Sequence, residues 1–355
     1  MPSTSAQNFW NTTQDPLMIL APMEDVTDTA FRELVLRLAH PGHLHVVYTE
    51  FTSTDGLCHP VGRERVEHRL RVSHSEQLWL QQKGVKIVAQ IWGNNPEKYA
   101  QAVRYITERY SFDAIDINMG CPVRNVVAQG SCSALIDNET LAAEIIAATR
   151  AATHLPVSVK TRLGVKKIDT QRWMHFLLQQ PLDAIILHGR IQKQMSEGEA
   201  NWEEIARAVH MRNQMAPHIT IIGNGDVETI AEAHERCESF GTQGVMIGRG
   251  IFKNPWLFDP KKEEVSLQER LQTLLLHLDL FEKNWGEGKP FLLLRRFFKI
   301  YLTGFAGAAH LRALMMETRN YKEARQIIQN AIDNPTDNSY ISSKSVITLP
   351  ITQKN

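Results

Sequence analysis

Short apolar runs alternate with amphipathic segments along the chain from Leu17 to about Leu257. Each run is rich in Val, Ile and Leu, ends in polar or glycine residues, and precedes a segment with helical spacing. The eight runs are MILAPM (from Met18), HVVYTE (from His45), KIVAQIWG (from Lys86), DAIDIN (from Asp113), PVSVKTR (from Pro156), DAIILHGR (from Asp183), ITIIGNGD (from Ile219) and GVMIGRG (from Gly244). Their nearly continuous apolarity fits parallel strands buried on both faces. The pattern predicts an α/β fold, a (β/α)8 TIM barrel, rather than an open doubly wound sheet.

Local signals mark where the intervening helices begin. Asn95-Pro96 is a typical helix start, with a capping side chain followed by proline in the first turn. We expect Asp226 to be the N-cap of another helix. The apolar face of that helix would carry Ile230, Ala233 and Cys237.

The strand signal disappears beyond Asp259. A charged linker from Pro260 to Glu264 leads into a helical pattern from Leu267 to Ile332, which glycines interrupt at Gly286, Gly288 and Gly304 to Gly307. This pattern predicts a small C-terminal helical bundle. The predicted division is a flexible N-terminus at 1–16, a barrel domain at 17–259, a helical domain at 260–335 and a polar tail at 336–355.

Composition narrows the class of protein. No apolar stretch approaches the roughly 18 residues of a membrane helix. No Lys or Arg precedes Arg32, so we expect a cytoplasmic protein without a signal peptide or membrane contact. Four cysteines without a C-x-x-C pair indicate neither a disulfide framework nor a metal site. The 39 basic residues equal the 39 acidic ones, which argues against a protein that coats nucleic acid with its whole surface.

Functional residues of a TIM barrel lie at the carboxyl ends of its strands. The predicted strand ends carry Pro22, Met23 and Glu24; Glu50; Gln90; Asn118 to Pro122; Lys160 and Arg162; His188 and Arg190; Asn224, Gly225 and Asp226; and Gly248, Arg249 and Gly250. Glycine-rich turns after strands seven and eight can receive a phosphate through backbone N–H groups. The two turns together therefore predict a phosphate site, to which Arg249 adds a cation.

Lys160 interrupts an otherwise apolar strand. A buried ammonium needs an anion, so Lys160 faces either an anionic ligand or a carboxylate, with Glu50 and Asp116 as the candidate carboxylates. His188 also ends an apolar strand; a histidine in that position is more often structural than a ligand, and only its neighbours favour a role in binding.

Cys121 lies between Gly120 and Pro122, in a sharp turn after the fourth strand. The turn directs the thiol toward the mouth of the barrel, where it can donate a proton or act as a nucleophile. We assign the other cysteines to buried, inert positions. These are Cys58, Cys132 and Cys237.

From Leu20 to about Arg319 the chain resembles the tRNA-dihydrouridine synthases, flavin-dependent barrel enzymes that reduce uracil in tRNA. The motifs that carry the resemblance are, in order, LAPMEDVTD, DINMGCPV, LPVSVKTRLG, ILHGR, IIGNGDV and VMIGRG. The resemblance implies FMN as cofactor, NADPH as electron donor and tRNA as partner of a monomeric enzyme. Cys121 would be the proton donor and Asn118 would hold the flipped uracil.

The resemblance also implies how FMN is bound. Gln90 and Lys160 would hydrogen-bond the isoalloxazine, and Pro22, Met23 and Glu24 would border it. The ribityl chain and phosphate would be held by His188, Asn224, Gly225, Asp226, Gly248 and Arg249. The chain departs from the family in three places: Arg124-Asn125 follows GCPV where a lysine is common, Gly130-Ser131-Cys132-Ser133 replaces a small glycine turn, and the stretch FTSTDGLCHPVGRERVEHRL after strand two is unfamiliar.

The helical region has a local excess of basic residues. From Gly288 to Met316 it contains five basic residues and no acidic one. We interpret Arg295, Arg296, Lys299 and Arg312, with Arg162 and Arg190 of the barrel, as contacts to tRNA. The neighbouring Leu294, Phe298 and Tyr301 would belong to the core.

Two other functions fit parts of the pattern. A barrel flavoenzyme that acts on a small enone or pyrimidine would use the same hydride-and-acid chemistry but would not need the basic helical region. A catalytically inactive RNA-binding protein of the same fold would bind no flavin and would not need Cys121.

Overall fold

The computed structural model describes residues 8–11, 15–262, 264–333 and 347–348. Eight parallel strands pair in chain order, and the first pairs with both the second and the eighth, so the sheet closes. The barrel strands are Leu17–Leu20, Val46–Tyr48, Lys86–Trp92, Ala114–Met119, Val157–Arg162, Ala184–His188, Thr220–Asn224 and Gly244–Ile247. Each overlaps one of the eight predicted runs. The predicted TIM barrel is confirmed.

Helices cover the outside of the barrel. The longer ones are Thr29–Leu38, His74–Lys83, Pro96–Arg109, Glu139–Ala151, Thr170–Leu177, Trp202–Met215 and Ile230–Phe240. Shorter helices Thr54–Cys58 and Pro60–Val66 follow the second strand, in the unfamiliar stretch, and Arg124–Ala128 follows the fourth. Asn95 caps its helix as predicted, by accepting from the N–H of Lys98.

The predicted N-cap at Asp226 is wrong. Thr229 caps the helix Ile230–Phe240 by accepting a hydrogen bond from the N–H of Glu232. Asp226 has a φ of +53°, and its carboxylate binds Arg190 instead. The predicted apolar face of the helix is correct, because Ile230, Ala233 and Cys237 are buried.

The N-terminal segment contributes to the barrel interior. Residues Phe9–Asn11 form a short 3-10 helix in which Phe9 and Trp10 pack against inward-facing residues of the strands. The side-chain amide of Asn8 donates to Asp183 at 2.8 Å. The prediction of a flexible segment at 1–16 is therefore wrong for residues 8–11, while 1–7 and 12–14 lie outside the described residues.

Four further helices follow the barrel. They are Leu267–Trp285, Arg295–Tyr301, Ala308–Glu317 and Tyr321–Asp333. Ser266 and Glu269 form a capping box at the first, which ends at Gly286 as predicted. In the predicted linker, Glu264–Val265 pairs with Ile347–Thr348, and the rest of the predicted tail lies outside the described residues.

The helical region packs on the outer helix Thr29–Leu38. Phe31 of that helix contacts His277 and Phe297, with ring centroids 5.6 and 5.2 Å apart. One hydrophobic core therefore continues from the barrel into the helical region. The division into domains at 17–259 and 260–335 stays a proposal. Within the described ranges no helix combines the length and apolarity needed to cross a bilayer.

Candidate active site

A cavity of about 490 Å³ opens at the carboxyl ends of the strands. Its volume is within the usual range of small-molecule sites, roughly 300–1,000 Å³. The predicted site residues that line it are Pro22, Met23, Lys160, Arg162, His188, Arg190, Asn224, Gly225, Asp226, Gly248 and Arg249. Of the residues predicted to contact FMN or uracil or to supply the acid, four do not line it, namely Glu24, Gln90, Asn118 and Cys121. Pro122 does, so the turn that contains Cys121 borders the cavity.

Tight packing around the turns after strands seven and eight explains two of the glycines. Gly225 has a φ of +130°, and a Cβ there would come within 2.6 Å of the Cβ of Ala200. A Cβ at Gly250 would come within 2.5 Å of the carbonyl oxygen of Val227. The two turns therefore lie directly against each other and form one edge of the cavity.

Gly248 differs from these two glycines. A Cβ there would lie 3.6 Å from Ala21 and 3.9 Å from Met23, which are ordinary contact distances. Neighbouring protein atoms thus leave room for a side chain at this cavity-lining position. Glycine keeps the backbone open to close approach by a ligand, as at the phosphate sites of other TIM barrels.

Asp226 organises the arginines on this side of the cavity. Its carboxylate lies 2.6 Å from Nη2 of Arg190 and 3.2 Å from Nη2 of Arg249. Burial raises the pKa of Asp226, but hydrogen bonds from Arg190 and the N–H of Ala200 outweigh burial and lower it overall. Arg249 is well exposed, whereas Arg190 is buried and also donates to the carbonyl of Gly198. The guanidinium of Arg190 is thus already used within the protein, and the structure gives no support to the predicted contact of Arg190 with tRNA.

Lys160 is the buried cation of the cavity. Its Nζ donates to Oδ1 of Asn224 at 3.0 Å. Burial, with the nearby charge of Arg162, lowers the pKa of Lys160 to about 8. Neither candidate carboxylate hydrogen-bonds it: Asp116 accepts from Ser158 and Gln90, and Glu50 pairs with Lys289. The geometry favours the anionic-ligand interpretation.

His188 and Arg162 also line the cavity. Burial, followed by the charges of Lys160 and the arginines, lowers the pKa of His188 well below its usual value, so the imidazole stays neutral. Burial lowers the pKa of Arg162 to about 10. Arg162 donates from Nε to the carbonyl of Gly120 at 2.7 Å. It thereby supports the turn that contains Cys121.

A chain of buried polar side chains fixes that turn. Oδ1 of Asn118 accepts from the N–H groups of Gly120 and Cys121 at 3.0 and 2.9 Å. Nδ2 of Asn118 donates to Oε1 of Gln90, and Nε2 of Gln90 donates to Asp116. Burial raises the pKa of Asp116 to about 6, although its hydrogen bonds oppose the shift. Each amide uses only one of its two N–H groups in these bonds, and the predicted ligand contacts of Gln90 and Asn118 stay predictions.

Cys121 meets a second cysteine at the cavity edge. Its thiol is hydrogen-bonded to the thiol of Cys132, and this bond is the largest cause that lowers the pKa of Cys121, to about 7. Cys132 is fully buried, as predicted, but the expectation that it is inert does not fit a thiol in contact with Cys121. Cys237 is buried and contacts Thr242, while Cys58 is only half-buried and bonds to the carbonyl of Lys98.

Glu24 lies at the exposed rim rather than in the cavity. Its carboxylate is 2.9 Å from Nη2 of Arg69, in the 3-10 helix Glu67–Leu70 that follows the second strand. The unfamiliar stretch after strand two therefore contacts the loop after strand one. The role of Glu24 beside FMN stays a prediction.

The four basic residues of the helical region have different surroundings. Arg295 donates to the carbonyl of Thr318, and Arg312 donates to that of Leu302. Both side chains are half-buried, so they stabilise the helical region and cannot serve as freely exposed phosphate contacts. Arg296 and Lys299 are exposed, although Arg296 also donates to the carbonyl of Asp25 and lies 3.6 Å from its carboxylate. The predicted stripe is reduced to these two cations, and the adjacent core residues are buried as predicted: Leu294, Phe298 and Tyr301.

Sequence reasoning missed the residues that join the helical region to the barrel. Lys289 Nζ lies 3.3 Å from Asp28 and 3.5 Å from Glu50, and all three side chains are largely buried. The position of Glu50 at the end of an apolar strand could have indicated such a partner, because a buried carboxylate requires a cation.

The chain is similar to known proteins along most of its length. A family model described as "Dihydrouridine synthase (Dus)" matches residues 19–336. A probable tRNA-dihydrouridine synthase of Staphylococcus aureus (strain MRSA252) is 43% identical over 91% of this chain and 95% of that protein. The probable tRNA-dihydrouridine synthase 2 of Bacillus subtilis (strain 168) is 41% identical over 91% of this chain and 96% of that protein.

The fold is similar to a solved structure of histamine dehydrogenase from Rhizobium sp. 4-9. The TM-score is 0.54 at 11% sequence identity, and the match covers 89% of this chain and 62% of that one. At this identity the likeness concerns the barrel architecture alone.

Proposed function

The chain belongs to the dihydrouridine synthase family, and from that premise we propose that it reduces the carbon 5 to carbon 6 double bond of uridines in tRNA, with FMN as cofactor and NADPH as donor. The observation that carries this proposal is one arrangement: a cationic cavity with two glycine turns lies beside a thiol turn. The cavity suits a phosphorylated, electron-carrying ligand, and the thiol provides an acid next to it.

The residues of the cavity fit FMN. The phosphate would bind at the turns of Gly225 and Gly248 with the exposed guanidinium of Arg249, since the backbone at Gly248 is open to a ligand. Lys160, which no carboxylate hydrogen-bonds, would hold the anionic edge of the ring system. His188, being neutral, can donate a hydrogen bond without repelling the neighbouring cations. Bound FMN would supply hydride.

Cys121 would supply the proton. Uracil conjugates its carbon 5 to carbon 6 double bond with the carbonyl at carbon 4, so hydride arrives at carbon 6 while an acid protonates carbon 5. Two backbone N–H groups bound by Asn118 fix the position of the Cys121 turn. The free N–H of the Asn118 amide would donate to a uracil carbonyl.

The uracil base must unstack from its neighbours in the tRNA to reach this cavity. A uridine in a structured tRNA is accessible only when it is extruded, and that requires contacts to the surrounding RNA. Arg296 and Lys299 are exposed cations of the helical region that could neutralise phosphates. Arg162 lines the cavity but is buried and donates to backbone carbonyls, so it is the weaker candidate for a contact with tRNA. No G-x-G-x-x-G sequence follows a strand, so the nicotinamide would visit the same cavity before tRNA binds.

One preparation tests the cofactor and the reaction separately. The purified protein should be yellow, should release FMN rather than FAD on denaturation, and should form dihydrouridine in unmodified tRNA transcripts with NADPH. Lys160→Met should lower flavin occupancy, whereas Lys193→Met, which removes an exposed lysine outside the cavity, should not. A colourless protein that gains no spectrum with added FMN would refute the cofactor.

Cys121→Ala tests the acid. The variant should still oxidise NADPH through its flavin but should form dihydrouridine about 10²–10⁴-fold more slowly. Equal rates in variant and wild type would exclude Cys121 as proton donor. Rapid reduction of a small cyclic enone without any activity on tRNA would favour the small-molecule reductase instead.

A further inference from the structure

Two thiols from separate segments meet at the edge of the candidate active site. Cys121 follows the fourth strand, and Cys132 begins the 3-10 helix Cys132–Asp137, beyond the short helix Arg124–Ala128. The N–H and the hydroxyl of Ser133, the residue after Cys132, both donate to the carbonyl of Cys121, and the Cys132 thiol is close enough to lower the pKa of Cys121. Cys58 and Cys237 bond instead to a backbone carbonyl and to a threonine. Only the first pair places two thiols side by side in the described part of the chain.

The backbone holds this pair in place. The carbonyl of Cys121 accepts from both the N–H and the hydroxyl of Ser133, at 3.4 and 2.9 Å. On the other side, Asn118 binds the N–H of Cys121. Ser133 therefore bonds the two segments to each other next to the thiols, and Asn118 fixes the turn that contains Cys121.

Cys132 has a φ of +56°, in the left-handed region. That conformation costs a residue with a side chain about 1–2 kcal/mol, whereas glycine adopts it freely. A cysteine that served only to fill space would gain little here. The residue at this strained position is instead a cysteine, whose thiol can react with the thiol of Cys121.

The two thiols differ in access. Cys121 is partly exposed beside the cavity, while Cys132 is fully buried behind it. A small oxidant from solvent therefore reaches the partly exposed Cys121 before the buried Cys132. The low pKa of Cys121, about 7, increases the fraction of reactive thiolate.

We propose that Cys121 and Cys132 form a reversible disulfide when the protein meets a hydroperoxide. The Cys121 thiolate attacks one peroxide oxygen, the O–O bond breaks, and Cys121 becomes a sulfenic acid while hydroxide leaves. Cys132 then attacks the sulfenic sulfur; an S–S bond forms and the sulfenic oxygen leaves as water. With hydrogen peroxide, two thiols lose two electrons and two protons in total, and two waters form.

The disulfide has two consequences. It removes the thiol that the proposed function uses as proton donor, so tRNA reduction stops; this consequence rests on the proposed function. It also prevents further oxidation of Cys121 to the irreversible sulfinic acid. A dithiol reductant restores both thiols. The bond itself can form whether or not Cys121 is the acid.

Peptide mapping tests the bond directly. Trypsin cleaves after Arg109, Arg124 and Arg150, so peptides 110–124 and 125–150 each contain one cysteine. The full-length protein would be treated with several equivalents of hydrogen peroxide, blocked with N-ethylmaleimide and digested without reductant. We expect a linked peptide that weighs two hydrogens less than the sum, with Cys58 and Cys237 alkylated. Cys121 recovered as sulfinic acid without linked peptide would overturn the proposal.

Variants at Cys132 separate the bond from the activity. Cys132→Gly and Cys132→Ser cannot form the linked peptide, and their Cys121 should become sulfinic acid. Activity, expressed as a fraction of each protein's own untreated rate, should return with dithiothreitol in wild type but not in either variant. Equal recovery in all three proteins contradicts a protective bond. A linked peptide without loss of tRNA reduction supports the disulfide and refutes Cys121 as proton donor.

Discussion

Nζ of Lys289 lies 3.5 Å from Oε2 of Glu50, although the two residues are 239 positions apart. Lys289 belongs to the helical region and Glu50 to the end of the second barrel strand. The same ammonium lies 3.3 Å from Asp28 and 4.0 Å from the centre of the Trp285 ring. Glu50 also accepts from the N–H of Asp25 at the cavity rim. This buried cluster therefore connects the helical region to the loop that borders the active site.

Lys289→Met should destabilise the protein strongly, because it leaves two buried carboxylates without their cation. Breaking a buried pair by removing one partner typically costs about 3–5 kcal/mol. Denaturant unfolding measures the change. Lys299→Met, on the exposed surface of the same region, should stay within about 0.5 kcal/mol of wild type.

Adding Glu50→Gln to Lys289→Met should recover part of this loss, because the double variant no longer buries the Glu50 charge. If Lys289→Met and Lys299→Met have the same stability, the buried cluster does not hold the helical region on the barrel.

The buried His277 should make folding sensitive to acid. Burial lowers its pKa from 6.5 to about 4. Between these values the unfolded chain binds a proton that the folded protein does not, so the free energy of unfolding falls as pH falls from about 6.5 to about 4. His277→Phe should reduce this slope in urea titrations at several pH values. His68 has a similarly lowered pKa and should account for part of the remaining slope.

The exposed His154 provides the matched control for that measurement. His154→Phe should leave the pH dependence of unfolding unchanged. An identical slope in His277→Phe and wild type would mean that His277 does not contribute to acid sensitivity.

Cys132 should influence the pH dependence of tRNA reduction. A proton donor works only in its protonated form, so activity should decline as pH rises through the pKa of Cys121, about 7. Cys132→Gly removes the hydrogen bond that lowers this pKa. The alkaline limb of the kcat/KM profile should therefore move to higher pH. An unchanged limb, measured in dithiothreitol, would mean that Cys132 does not tune the thiol.

The basic residues of the helical region should separate into two classes. Arg296→Gln with Lys299→Gln should weaken tRNA binding and flatten its log–log salt dependence by up to about one unit per lost contact. Arg295→Gln with Arg312→Gln should instead lower the stability, since their guanidinium groups bind carbonyls of the same region. Salt titrations of binding and thermal melts distinguish them. Unchanged tRNA affinity in the first pair would exclude this surface as an RNA contact.

Local sequence patterns were enough to predict the barrel, the order of its strands and the stretches that surround the cavity. Buried parallel strands need continuous apolar runs, and glycine is required where turns pack as closely as at Gly225 and Gly250. These requirements for apolar residues in strands and for glycine in turns concern residues close together in the chain, so they appear as local patterns in the sequence. They predicted most of the cavity lining, including Lys160 and Arg249.

The pairing of polar side chains could not be predicted from the sequence and is seen in the folded structure. Arg190 was expected to face tRNA but binds Asp226, and Cys132 was expected to be inert but contacts Cys121. Lys289, unnoticed among five basic residues, proved to be the buried partner of Glu50. Residue type shows that a charge or thiol needs a partner. Which partner it finds depends on the distance and direction between segments far apart in the chain, and those arise only when the barrel and the helical region pack together.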